Sequence, residues 1–300
     1  MEEDDYTTLQ MIGKGAFGEV YKGVLNKTGQ SVAIKKIKRG DTMKEWNVMT
    51  RLAGHQHILR AIALVEAPEH VAYVLEFAKG GDLFSYAEDK GFEVPEAEVR
   101  AITRQIVAAL LHINACGVAH LDLKPENVLF KDASQSHVLL ADFGAAEVLG
   151  ESSAPITRPV GTLHYMAPEV LRCWPGEEGI ADDAVPRGFG MLADNWSLGV
   201  LVYVLLHANY QLQAVFRSPQ LGRFKMPMAC SKTYLRRARH SLRPRSHPAA
   251  PKKISPAHRM TLAEAREHPW LEGAKANKHD LDDPASGSSD AQDGKRPRLG

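Results

Sequence analysis

Residues 118 to 130 read VAHLDLKPENVLF, and four side chains there could take part in chemistry: His120, Asp122, Lys124 and Asn127. A carboxylate such as Asp122 can accept a proton from a hydroxyl. Lys124 can neutralise a phosphoryl group, and the amide oxygen of Asn127 is a hard ligand suited to Mg2+. A solvated turn would account for each residue taken singly. Pro125 stiffens the segment, and the apolar runs on either side make it a link between buried strands. Further on, VLLADFG ends an apolar run on Asp142, either a strand-end cap or a second metal oxygen.

Two segments nearer the start could handle phosphate. GKGAFGEV, residues 13 to 20, carries Gly13, Gly15 and Gly18, whose spacing lets backbone amides approach anionic oxygens. A dinucleotide fingerprint would need a helix after this loop. EVYKGVL follows and alternates like a strand, so a hairpin over phosphates fits better. VAIK then places Lys35 at the end of an apolar strand, where a charged amine wants an anion. Glu45 is the only glutamate between Lys35 and Glu66 and is its natural partner. It also fits the third position of a capping box with Thr42, a competing use of the same carboxylate.

The elements that must position these groups can be read from periodicity. Residues 6 to 37 read as a β-meander, and DTMKEWNVMTRLAGH as a helix with Trp46, Met49 and Leu52 on one face. Residues 58 to 65 and 71 to 77 read as two more strands. AKGGD is a candidate hinge. Beyond it the pattern turns helical: Pro95 opens a run with Val99, Ile102, Ile106, Leu110 and Ile113 at three- and four-residue steps. VLF (128 to 130) and VLLADF (138 to 143) are short β-like pieces. DNWSLGVLVYVLL is apolar nearly all round, as a central buried helix would be. TLAEAREHPWL reads as a final helix with a Thr261–Glu264 capping box. Residues 229 to 253 are basic and Pro-rich with little periodicity, and residues 272 to 300 read as a disordered polar tail.

Bulk properties narrow the function classes. The net charge is +1, which gives no global electrostatic case for nucleic acid or membrane partners. Cys116, Cys173 and Cys230 are not spaced as a metal site and fit a reduced, intracellular setting. The acidic start MEEDDYTTLQ has no apolar core of a signal peptide. A cytoplasmic monomer is the expectation. KRPR at 295 to 298 reads as a solvated tail end, with a nuclear address as the alternative.

In the order GKGAFGEV, VAIK, HLDLKPEN, DFG, GTLHYMAPE, DNWSLG and HRMTLAEAREHPWL, the chain resembles the eukaryotic-type serine/threonine protein kinases over residues 6 to 271. DLKPEN and EHPWL lean towards the calmodulin-dependent and death-associated branch. The resemblance implies an α+β bilobal fold: a small β-rich N-lobe with one helix (about 6 to 78) and a larger, mainly helical C-lobe (about 79 to 271). Residues 1 to 5 would be an acidic extension. It implies ATP and Mg2+ as cofactors and a protein Ser/Thr hydroxyl as acceptor. Gly13, Lys14, Gly15, Ala16, Phe17 and Gly18 would cover the phosphates. Lys35 would bind them and pair with Glu45. Asp122 would be the catalytic base or an orienting acid, Lys124 would contact the γ-phosphate, and Asn127 and Asp142 would hold Mg2+. Ile12, Val20, Ala33, Leu75 and Leu129 would sandwich the adenine, with Leu75 as gatekeeper. Glu76 and Ala78 would offer hinge backbone groups, and Asp82 would reach the ribose. Asp194 would anchor the catalytic loop, and Glu169 would pair with Arg259. Asp82 and Glu126 would favour basic residues upstream of the acceptor.

Several features depart from the family pattern. Leu121 stands where an arginine usually precedes the catalytic aspartate and meets an activation-segment phosphate, so phosphorylation at Ser152, Ser153 or Thr157 should matter less here. Lys35 and Glu45 are only ten positions apart, which implies a short first helical turn or an awkward ion pair. Glu169 to Asp194 spans 25 positions, with WPGEEGIADDAVPRGFG expected as a surface loop. Residues 229 to 253 replace an amphipathic helix, and a basic docking or calmodulin-target segment is a weaker reading. These departures keep a nucleotide-binding pseudokinase or scaffold in view. A small-molecule phosphotransferase or dinucleotide oxidoreductase fits less well, because of GTLHYMAPE, DNWSLG and the strand after the glycine loop.

Overall fold

The computed structural model describes residues 1–15, 18–38, 43–149, 155–171, 173, 189–207, 256 and 259–273. The fold begins with β1 (Tyr6–Gly15), β2 (Gly18–Leu25) and β3 (Ser31–Lys38), then α1 (Lys44–Arg51), β4 (Ala61–Glu66) and β5 (His70–Glu76). The strands form one antiparallel sheet in the order β1-β2-β3-β5-β4. Period-2 alternation sorts β3 between two environments. Val32 and Ile34 join a core with Tyr6, Val65, Ala72 and Val74 on one face. Ala33 and Ile37 join the main core, which includes Val48 and Met49 of α1, on the other. Lys35 shares their side of the strand. Gly18 has φ +131° at the β1–β2 turn, and a Cβ there would meet the Lys36 carbonyl at 2.3 Å, so only glycine fits.

The expected strand over 58 to 65 begins later. Ile58 and Leu59 instead leave the sheet. The Leu59 amide donates to the Leu140 carbonyl (2.9 Å) and the Leu140 amide to the His57 carbonyl (2.9 Å). Those bonds tie the base of α1 to the second lobe. The reading of Thr42 as a helix cap lies outside the described residues; Met43 occupies the cap position without a side-chain cap bond.

The second lobe contains α2 (Leu83–Asp89), α3 (Glu96–Ala115), four short strands, β6 (Val118–Ala119), β7 (Val128–Phe130), β8 (Val138–Leu140) and β9 (Glu147–Val148), and then α4 (Pro168–Leu171) and α5 (Leu192–His207). Two short antiparallel pairs, β6 with β9 and β7 with β8, bracket residues 120 to 127. Val99, Ile102, Ile106, Leu110 and Ile113 of α3 are all buried, and each contributes roughly 1.5–3 kcal/mol relative to an exposed position. In α5, Ala193, Trp196, Leu198, Leu201, Val202 and Leu205 are buried around the helix, as its uniform apolarity implied. The single helix expected over TLAEAREHPWL is two: α6 (Leu262–Arg266) and α7 (Pro269–Glu272). Pro269 forces His268 into an extended conformation (ψ 131°), which separates them. The Thr261–Glu264 capping box is formed. Trp270 donates to Glu96 (2.7 Å) and Arg104 donates to the Leu271 carbonyl, which fastens α7 onto α3. Residues 174 to 188 of the long insertion, residues 229 to 253 and residues 274 to 300 lie outside the described residues.

Candidate active site

Between the lobes lies a cleft of about 620 Å³. Its apolar walls are Ile12, Val20, Ala33, Leu75 and Leu129, the five residues expected around an adenine. Met49, Leu59, Phe77 and Ala141 also line it; of these the sequence singled out only Met49, as part of one helix face. Gly13, Gly15 and Gly18 border the cleft from the β1–β2 turn. Lys14 does not: it is exposed and its amine bonds Glu19 at 2.9 Å. Ala16 and Phe17 lie outside the described residues. Glu76, Ala78 and Asp82 line the connector, where the Ala78 amide and carbonyl have no backbone partner among the described residues. The Asp82 carboxylate caps α2, accepting from the Ser85 amide at 2.8 Å and hydroxyl at 2.9 Å. A sugar hydroxyl would therefore meet a group already held in place by two bonds.

Lys35 is the charged centre of the upper wall. Its Nζ donates to both Glu45 oxygens (2.7 and 2.9 Å) and to Asp142 Oδ1 (2.8 Å). Glu45 is thus committed to the ion pair. The ten-residue link closes because α1 starts at Lys44, one residue before the glutamate. Asp142 reaches across from a left-handed backbone conformation (φ 59°), uncommon for a side-chain-bearing residue. Phe143 behind it is fully buried against the His120 ring.

Burial favours the neutral amine, but the two carboxylates outweigh it and push Lys35 up. Burial likewise raises Asp142, and the Lys35 charge and hydrogen bond reverse this to hold its carboxyl below the ordinary value. For Glu45 burial dominates and pushes the carboxyl up despite Lys35. The signs then separate the two acids. Asp142 contributes stability that is present above its unfolded value and lost as pH falls through its lower folded one. Glu45 takes a proton first, above the ordinary glutamate range. Nucleotide affinity should therefore weaken as pH falls towards that raised value. Glu45→Gln should remove this dependence, as titration calorimetry across pH would read; an unchanged pH profile in the variant would refute the assignment.

The lower wall is built on the segment after β6. Asp122 Oδ1 accepts from the Thr162 hydroxyl (2.6 Å), and Oδ2 accepts from Lys124 Nζ (2.9 Å) and Asn127 Nδ2 (3.1 Å). Lys124 also donates to Thr162 (2.9 Å), and Asn127 donates to the Asp122 carbonyl (2.7 Å). Thr162 closes this ring. The sequence reading quoted it within GTLHYMAPE without a role, because nothing local shows that it folds back over 40 positions. Gly161 permits that approach: it has φ +100°, and a Cβ there would meet the Leu121 carbonyl at 2.1 Å.

Asp194, fully buried in the first turn of α5, fixes the segment from below. It accepts from the amides of His120 (2.7 Å) and Leu121 (2.8 Å). Burial pushes its carboxyl up, and those bonds oppose the push. The His120 ring takes the Asp122 amide on Nδ1 (3.3 Å), so Nε2 donates to the Ala141 carbonyl (3.1 Å). One imidazole thereby spaces Asp122 from the strand that delivers Asp142. Leu121 bridges these contacts with φ 66° and a buried side chain. The expected Glu169–Arg259 pair is present and buried, at 2.6 Å for one of its two bonds.

Two oxygen ligands suit Mg2+, which keeps waters and substrate phosphates in its shell. Asn127 donates its nitrogen to Asp122, which leaves its oxygen to the cleft, and Asp142 faces the same space. Among the described residues, no group of three or more His, Cys, Asp or Glu forms a closed metal site. The two protein oxygens of Asn127 and Asp142 fit a metal whose remaining ligands are waters and substrate phosphates.

A two-lobed molecule with a nucleotide-sized cleft, a Lys–Glu pair above and an Asp–Lys–Asn cluster below defines a phosphotransferase fold. Comparison with known families agrees: the protein kinase domain model matches residues 6–271. The chain belongs to the protein kinase family. It is 36% identical over 207 residues to a probable myosin light chain kinase of Dictyostelium discoideum, covering 67% of this chain and 62% of that one. It is 32% identical over 272 residues to a serine/threonine-protein kinase of Saccharomyces cerevisiae, covering 87% of this chain and 32% of the yeast protein. A calcium/calmodulin-dependent serine/threonine-protein kinase of Oryza sativa is 28% identical over 292 residues, covering 92% and 46%. The chain thus spans about a third to just under two thirds of these relatives.

Proposed function

We propose that the protein is an ATP- and Mg2+-dependent serine/threonine protein kinase that transfers the γ-phosphate to protein Ser or Thr hydroxyls. The observation that carries this reading is the Asp122–Lys124–Asn127–Thr162 ring facing the Lys35–Glu45–Asp142 triad across one cleft. Catalysis of this kind rests on positioning and charge neutralisation. Lys35 would hold the α- and β-phosphates, its amine kept charged by Glu45. Asp122 would orient the acceptor hydroxyl and take its proton, and Lys124 would sit on the transferring group. Asn127 and Asp142 would hold Mg2+, which supplies charge neutralisation at the phosphates.

Serine/threonine specificity rests on the DLKPEN and GTLHYMAPE motifs and on the names of the relatives. Asp82 and Glu126, both at the cleft, support a preference for basic residues upstream of the acceptor. The near-neutral charge gives no case for nucleic acid or membrane partners, and the few, unclustered cysteines support a cytoplasmic setting, in which we take the enzyme to be monomeric. No described helix is long and apolar enough to cross a membrane.

The deciding experiment is transfer of labelled γ-phosphate to a basic protein in the presence of Mg2+, followed by phosphoamino-acid analysis. Label on Ser or Thr supports the proposal. Absence of transfer, with a melting temperature still raised by ATP, would replace it with a nucleotide-binding scaffold.

A further inference from the structure

Outside the ring and the triad, one carboxylate joins three segments that the reaction needs in register. Glu147 lies on β9, and its backbone pairs with Ala119, the residue before His120. Its side chain accepts from Lys44 Nζ at 2.5 Å and from the Arg158 guanidinium. Lys44 is the first residue of α1 and the neighbour of Glu45. Arg158 lies three residues before Gly161 and four before Thr162. A single anion thus links the helix carrying Glu45, the strand entering the catalytic loop and the segment delivering Thr162. The residue before Asp122, Leu121, is buried and apolar, so it supplies no charge to this junction.

We propose that Glu147 is a positioning residue: a built-in anion that holds α1 and the 155–162 segment in the transfer-competent arrangement without an added phosphate. The inference deepens the kinase reading and rests on it. Lys44 and Glu147 are largely shielded from solvent, with side-chain exposures of 34% and 20%, whereas Arg158 is 60% exposed. The Lys44 arm therefore carries more of the coupling, and the Arg158 arm is the more screened by salt.

The test uses the full-length chain after phosphatase treatment and compares wild type, Glu147→Lys and the charge swap Glu147→Lys/Arg158→Glu. Glu147→Lys sets three cations together and should lower kcat/KM for ATP about tenfold or more. It should also speed hydrogen exchange over residues 44–51 and 155–162. The swap returns a carboxylate to the junction, at position 158, opposite the amine introduced at position 147, and should recover both readouts most of the way. A role in folding alone would not be rescued by moving the charge. The proposal is overturned if Glu147→Lys leaves exchange and kcat/KM unchanged, if the swap is no better than the single variant, or if phosphatase treatment silences the wild type. If the wild type transfers no phosphate at all, the kinase reading fails, and the exchange measurement still decides the positioning role.

Discussion

Asp122→Asn should lower phosphate transfer by roughly 100- to 10,000-fold while ATP still raises the melting temperature. The carboxylate has donors on both oxygens: Thr162 on one, Lys124 and Asn127 on the other. An amide of the same shape must turn its NH2 towards one of these donor sets. Turned towards Lys124 and Asn127, it sets a donor against donors; turned towards Thr162, it makes that hydroxyl rotate to accept and give up its own donation, so the ring is weakened either way. The acceptor for the hydroxyl proton disappears in the same step. Lys35, Glu45 and Asp142 lie on the opposite wall and are untouched, so nucleotide binding should persist. Radiolabel transfer and thermal shift on the same preparation separate the two effects. Activity within tenfold of wild type would remove Asp122 from its assigned role.

Arg259→Met should destabilise the fold by about 3–5 kcal/mol, because it leaves a buried charge uncompensated. Glu169 is 1% exposed, and both of its oxygens are taken by the Arg259 guanidinium. The same guanidinium donates to the Leu192 carbonyl (2.9 Å) and stacks on Trp196 (5.3 Å). For a chain of this size the loss corresponds to roughly a 10 °C fall in Tm. Glu169→Leu/Arg259→Met removes both charges and should recover much of the loss, since an apolar pair of similar volume can be neutral in such a place. Calorimetry of the three proteins distinguishes this from simple loss of packing, which the double variant would only worsen.

The pairs that the sequence exposed are those in which a short-range rule fixes one partner. The apolar run in VAIK put Lys35 at a strand end, where its amine wants an anion, and the scarcity of glutamates left Glu45 as its partner. The spacing alone could not tell whether Glu45 caps its own helix or leaves it; only a helix start at Lys44 makes the second possible. Thr162 and Glu147 were not legible as functional, because their roles depend on chain reversals at Gly161 and at the β6–β9 pairing. The side chain of Lys14, a motif position expected over the phosphates, pairs with its cross-strand neighbour Glu19, a contact that the motif does not announce. The break between α6 and α7 had a local signal in Pro269, which the helical periodicity around it concealed.

The seam where α7 meets α3 also bears on how the protein is made. Glu96 and Arg104 wait for Trp270 and Leu271, 174 and 167 positions later. On a ribosome adding about 5–20 residues per second, α3 emerges on the order of ten seconds before its cover. Through that interval a nascent chain carries a largely apolar helix with one flank open to water. Synthesis speed between these two points, and the chaperones that meet the chain there, should influence the yield of folded enzyme more than any rate set within the small lobe, whose strands pair with near neighbours and can close early.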